Sequence, residues 1–270
     1  MFHLWMILSG LLLFLLLAIY YRYHKIKDVK VLQSEGISHV KNLRSMLCLL
    51  QKHRGLSSTY IKGQPDVVTQ IDGIQTELNR LMADVLRTNS SIMSNSLWVS
   101  VNEHWQRLSH NYKHHSVENN VLQHNTMIQN LLYLIDDVAI SHGLARLKLS
   151  NIDNIRLLWR EWLSAIESMG QARAMGAVIL AEGTCSIMSR NRMMYLHEKI
   201  IETTNIAWRG IAVTDEQKRQ VNRLIACIKI EIINASQTQS MSLASSEYFE
   251  LCSAVIDSYY QRFDDSIAQL

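Results

Sequence analysis

The chain has 270 residues, 48% of them hydrophobic, with one proline, ten glycines and a formal net charge of only +3. That length can bury a sizeable core in one large or two small domains, and the composition favours helices over strands. So small a charge, with no run of Lys or Arg interleaved with aromatics, argues against a nucleic-acid partner.

Residues 4–21, LWMILSGLLLFLLLAIYY, carry no charge and are about long enough to span a hydrocarbon core as a helix. Trp5 lies near one end and Tyr20, Tyr21 and Tyr23 crowd the other, as interfacial anchors do. Nothing basic precedes the run except the terminal amine, and YYRYHKIK follows it, so it reads as an uncleaved anchor rather than a signal peptide. Arg22, Lys25, Lys27 and Lys30 outnumber Asp28, which by the positive-inside rule places the rest of a single-pass protein in the cytoplasm. The expected division is an anchor with its basic flank, 1–26, and a helical domain, 27–270.

A first long helix covers 27–62 and can run on from the apolar segment. It stops at KGQPD, where Gly63 and Pro65 break it. In 66–88, Val67, Ile71, Ile74, Leu78, Leu81 and Val85 form a bundle seam. TNSSIMSNS is a loop, followed by helices over 97–114 and 118–142. Asn151 or Asp153 is the expected cap of a second long helix, 151–182, ending at Gly183. Then come 185–209, a helix over 214–236 opened by the capping box Thr214–Gln217, and a last one over 246–267 capped by Ser245 or Ser246. The fold class is all-α: an N-terminal transmembrane helix, then eight helices in two side-by-side four-helix bundles.

The pairing into bundles rests on an internal repeat. The first long helix has the seam Val40, Leu43, Leu47, Leu50, Arg54, Ser57, Ile61. The second has Trp159, Trp162, Ile166, Met169, Arg173, Gly176, Leu180, each offset by 119 residues. The halves are about 27–142 and 143–270. Arg54 and Arg173 both fall at core-facing positions, and a buried guanidinium needs an anion. No Asp or Glu lies between Glu35 and Asp66, or between Glu167 and Glu182. The partner could be a carboxylate from a distant helix, with Asp136, Asp137 and Asp257 as candidates. It could instead be a small planar anion in a gap left by the small residues Ser57 and Gly176, or the arginines could snorkel to solvent.

LLQKHRGLSSTYIKG (49–63) resembles the opening signature of the nitrate- and nitrite-sensing (NIT) domain family, and MGQARAMGAVILAEG (169–183) its second. HNTMIQNLLYLIDDVAISHG and SEYFELCSAVIDSYY are similar to two further helices of that family, in the right order. The resemblance implies two four-helix bundles, with nitrate or nitrite held between the long helices by Arg54 and Arg173 and with His53 beside the first. It also implies a bacterial inner-membrane sensor that signals through a protein partner or a homodimer.

His110 and His114 sit four apart on one helical face, which can hold a metal, but no neighbouring set completes a site. The four cysteines, Cys48, Cys185, Cys227 and Cys252, lack metal or redox spacing. No catalytic constellation and no cofactor motif is present, so the expectation is a binding protein rather than an enzyme. Two readings follow: a membrane-anchored oxyanion sensor, or a membrane-tethered helical scaffold that binds a partner protein and no anion.

Overall fold

The computed structural model describes the backbone of residues 2–88, 90–235 and 242–270, and among these the side chains of all but 2–12, 90 and 91. The described residues form eight helices and no strand. These are α1 (Phe2–Ile61), α2 (Val68–Thr88), α3 (Ser96–Asn111), α4 (Val117–Ser141), α5 (Leu163–Glu182), α6 (Ile187–Trp208), α7 (Asp215–Cys227) and α8 (Ser245–Ala268). A π turn, Leu158–Trp162, leads into α5, and a second, Ile228–Asn234, prolongs α7.

The polar breaks act as capping chemistry demands. Asn95, Ser116 and Ser186 accept backbone N–H groups at the starts of α3, α4 and α6, and Thr214 and Gln217 form a reciprocal capping box on α7. Gly183 ends α5 in the left-handed region, at φ 63°.

Two expected helix starts need correction. Neither Asn151 nor Asp153 caps the second long helix. Residues 151–153 pair instead with the turn after α6: Asp153 N–H donates to Gly210 O and Ala212 N–H to Asn151 O. The buried Ile152 is thereby fixed in an extended segment, and Asn154 accepts from Arg156 N–H where the helical turns begin. At α8 neither Ser245 nor Ser246 caps; the Ser245 hydroxyl donates across to Ala177 O of α5.

α1 packs chiefly on α4 and α2, and α3 closes on α4; α5 packs chiefly on α8 and α6, with α7 against α8. Four residues of each long-helix seam are fully buried: Val40, Leu43, Leu47 and Leu50 in α1, and Trp159 and Trp162 of the π turn with Ile166 and Met169 of α5. Trp162 stacks on Tyr259 at 4.1 Å and donates to that residue's carbonyl. Gly176 lets α8 approach α5, because a Cβ there would lie 2.6 Å from Tyr248 Cζ and 2.7 Å from Ile232 Cδ1.

α1 runs well beyond the packed helices. Residues 13–32 are all exposed, roughly 30 Å of helix, and among the described side chains burial begins at Gly36. Among the described residues no helix is long and apolar enough to cross a membrane. The side chains of residues 4–12, the first half of the expected anchor 4–21, lie outside the described residues.

Gly176→Ala should therefore cost about 1–3 kcal/mol. Gly55→Ala, at an exposed position of α1 with nothing within 4 Å of a new Cβ, should be neutral or stabilise by up to about 1 kcal/mol. Denaturant midpoints of the two variants check both values.

Candidate functional site

Arg54 is buried, at 4% exposure, and its anion comes from the other half of the chain. Its Nη1 lies 2.5 Å from Glu167 Oε1 on α5, and Nη2 is 3.4 Å from Oε2. Nη1 also donates to Asn125 Oδ1 of α4 at 2.6 Å. Glu167, itself 5% exposed, accepts further bonds from Gln51 and Gln171, both at 2.8 Å. Gln51 in turn accepts from the Tyr260 hydroxyl of α8. A buried ion pair holds when its remaining lone pairs and protons are satisfied, and here four helices satisfy them. Gly170 lies under the guanidinium, since a Cβ there would sit 3.5 Å from Arg54 Nη2.

None of the three carboxylates expected for this role supplies it. Asp136 accepts from Trp159 Nε1 and faces Arg160 and Arg156, and Asp137 is bonded to Asn95. Asp257 acts only at longer range, favouring the charged form of Arg173. Glu167 escaped the sequence reading because it stands one place past the seam residue Ile166 and marked only the edge of an acid-free stretch.

Arg173 has a different environment. It donates to Ser253 Oγ at 2.9 Å, and its Cζ lies 4.8 Å from the Phe249 ring centroid, both on α8. Among the described residues it has no carboxylate within 4 Å. Burial lowers its pKa, and the positive charge of Arg54 lowers it further, against opposing contributions from Cys252 and Asp257. The two arginines sense each other, but Glu167 stands as a ligand to one only.

The other three expected site residues lie elsewhere. His53 is fully buried among α2, α3 and α4. Its partners fix both tautomers of a histidine pair. His124 Nδ1–H donates to Asn120 O (2.7 Å), so His124 Nε2 accepts from His53 Nδ1–H (2.8 Å). His53 Nε2 then accepts from Gln75 (3.1 Å). Trp105 and Tyr112 pack edge-on against the His53 ring. Ser57 donates to His53 O and accepts from Asn120 Nδ2, so it belongs to this polar core and lines no gap. Gly176 is covered by Tyr248 and Ile232. The expectation that Arg54, Arg173, His53, Ser57 and Gly176 share one cavity is thus corrected: they divide into a clasp, a lone cation, a buried polar core and a packing contact.

Burial holds His53 down to about 4, and burial together with the charge of His53 holds His124 well below its ordinary value. Neither is the cationic anion ligand expected beside Arg54. His110 and His114 are exposed, and among the described residues no group of three His, Cys, Asp or Glu is placed to hold a metal. A cleft of about 650 Å³ opens where α4 faces α5 and α6, with Glu167 at its floor. No protein family matches the chain, and no curated protein or solved structure resembles it significantly.

Arg54→Ala leaves Glu167 buried and unpaired and should destabilise the protein by about 3–5 kcal/mol. Joined to Glu167→Met, the loss should be smaller than the sum of the two single losses, as a double-mutant cycle in urea will show. The histidine pair sets a pH dependence. Between about pH 4 and 6.5 the unfolded chain protonates His53 while the folded one does not. The pair's contribution is therefore complete above pH 6.5 and falls with a steady slope as pH drops below it. Stability measured from pH 7.5 to 5 should show this slope, and His124→Gln should flatten it.

Proposed function

We propose that the chain is a membrane-anchored sensory domain that binds a small oxyanion, nitrate or nitrite, with Arg173 as the principal ligand. The observation that carries this reading is the half-buried Arg173 guanidinium, which lacks a carboxylate within 4 Å among the described residues and has a hydroxyl and an aromatic face as its direct contacts. A planar anion suits the guanidinium fork. The resemblance of residues 49–63 and 169–183 to the nitrate- and nitrite-sensing signatures supports the same ligand.

The coupling follows from the helices involved. An anion at Arg173 neutralises the charge that Arg54 feels, and it draws α8 toward α5. Six residues before Arg173, Glu167 clasps Arg54 of α1, so a shift of α5 acts on α1. α1 is one unbroken helix from Phe2, and its exposed apolar arm supports an anchor in the bacterial inner membrane with the remaining helices in the cytoplasm. Output then passes to a protein partner or a second copy. The protein acts by binding, without catalysis.

One observation favours the scaffold reading. Arg54 already has its anion in Glu167, so α1 and α5 are held together without any ligand. Thermal unfolding of the full chain in a mild detergent separates the two. With 10 mM nitrate against matched chloride and sulfate (a millimolar excess of about 100 times Kd adds about 2.7 kcal/mol), the midpoint should rise by several degrees. Arg173→Ala should abolish the rise. An unchanged midpoint with both nitrate and nitrite rejects the sensor in favour of the scaffold.

A further inference from the structure

The net charge of the chain sits in one short stretch of α1. Residues 22–30 hold Arg22, Lys25, Lys27 and Lys30 against Asp28 alone, an excess that equals the net charge of +3 on all 270 residues. Of the 27 Lys and Arg and the 24 Asp and Glu in the chain, 23 of each remain outside that stretch, so the rest of the molecule is balanced. All four cations are exposed, and among the described residues none has a carboxylate within 4 Å. Elsewhere on the surface Arg80, Arg107, Lys199 and Arg219 each meet an acid one turn away.

This stretch adjoins an apolar one. From Leu13 to Tyr21 the large apolar side chains are each more than half exposed, and Tyr20, Tyr21 and Tyr23 stand where the two stretches meet. Each residue turns the helix by about 100°, so Arg22, Lys25, Lys27 and Lys30 are spread over more than half of its circumference. A groove in a partner protein meets one face of a helix, whereas a layer of lipid headgroups surrounds it. A second copy lying parallel would set like charges beside each other. Arg22 to Lys30 covers roughly 12 Å of helix. Headgroups extend about 5–8 Å beyond each side of a hydrocarbon core, and the field of an anionic surface reaches about 8 Å further at physiological salt. With the apolar stretch in that core, all four cations fall within reach.

We propose that Arg22, Lys25, Lys27 and Lys30 form a collar around α1 that binds the phosphate headgroups of anionic phospholipids. Each cation near an anionic surface adds about a fivefold preference, and Asp28 removes part of the sum. The collar ends at Lys30, roughly 9 Å of helix before Gly36, where α1 enters the packed helices. Headgroups gripped there hold the bundle close to the membrane surface. The proposal rests on the membrane anchoring of α1 proposed above. It is independent of nitrate binding, because Arg173 and its partners lie on α5 and α8.

The test is electron spin resonance of the full chain reconstituted in phosphatidylcholine vesicles. They carry a trace of acyl-labelled phosphatidylglycerol or, in parallel, acyl-labelled phosphatidylcholine. The motion-restricted fraction reads how well each lipid keeps its place beside α1. Phosphatidylglycerol should be favoured about fivefold or more at low salt, and the preference should shrink toward parity in about 1 M salt, where the Debye length is about 3 Å. Lys25→Gln, Lys27→Gln and Lys30→Gln together should remove most of it. These side chains are exposed, and an unchanged unfolding midpoint confirms that the triple variant is folded. Equal restriction of the two labels overturns the collar, leaves the anchor in place and turns the search to an acidic partner protein. A preference that survives in the triple variant also overturns it. No restricted lipid of either kind shows that α1 does not enter the bilayer, and rejects the anchor and the collar together.

Discussion

A buried guanidinium lies in the centre of this fold, and the surrounding structure is arranged to neutralise it. Arg54 would cost several kcal/mol if buried alone. Its neutralisation brings together Gln51 of α1, Asn125 of α4, Glu167 and Gln171 of α5, and Tyr260 of α8. Direct contact between α1 and α5 is slight compared with their contacts to other helices, so a polar clasp rather than a broad apolar seam joins the two long helices. Apolar surfaces can slide past each other with little penalty, whereas a bidentate ion pair with filled lone pairs fixes one register.

Around that clasp the two groups of helices differ in how they fill their centres. The group built on α1 contains a chain of neutral hydrogen bonds, Gln75 to His53 to His124 to Asn120, walled by Trp105 and Tyr112. The group built on α5 is packed with rings instead: Trp162 on Tyr259, and Tyr248 over Gly176. Equivalent seam positions thus carry different duties. Ser57 is a hydrogen-bonding member of a polar core, while its counterpart Gly176 is a gap filled by a neighbour's aromatic ring.

The sequence makes the helices legible because their signals are local. Period-3.6 seams, Gly63, Gly183, Pro65 and the Thr214–Gln217 box all act within one or two turns. It misplaces the start of the second long helix because Ile152 is held by the distant turn at 210–212, which no local pattern announces. Of the site, the burial of Arg54 was legible from its seam position. Its partner was not, because a helix periodicity says which face is inward but not which residue on a separate helix will meet it. The repeat also suggested symmetric roles for Arg54 and Arg173, yet the repeat constrains backbone positions, and Glu167 has Cys48 as its equivalent in the other half.

The unbroken course of α1 ties its two ends in rotational phase. Each residue of an α-helix turns the chain by about 100°, so the arm's exposed face and the direction of Arg54 are fixed relative to each other by residue count alone. From Tyr23 to Leu32 every residue is exposed, so no packing there imposes an orientation from outside. One residue added or removed in that stretch would swing everything upstream by more than a quarter turn while leaving every contact below Gly36 in place. For this stretch, length is constrained more tightly than composition: substitutions leave the phase alone, and only gain or loss of a residue changes the bearing at which the arm leaves the bundle.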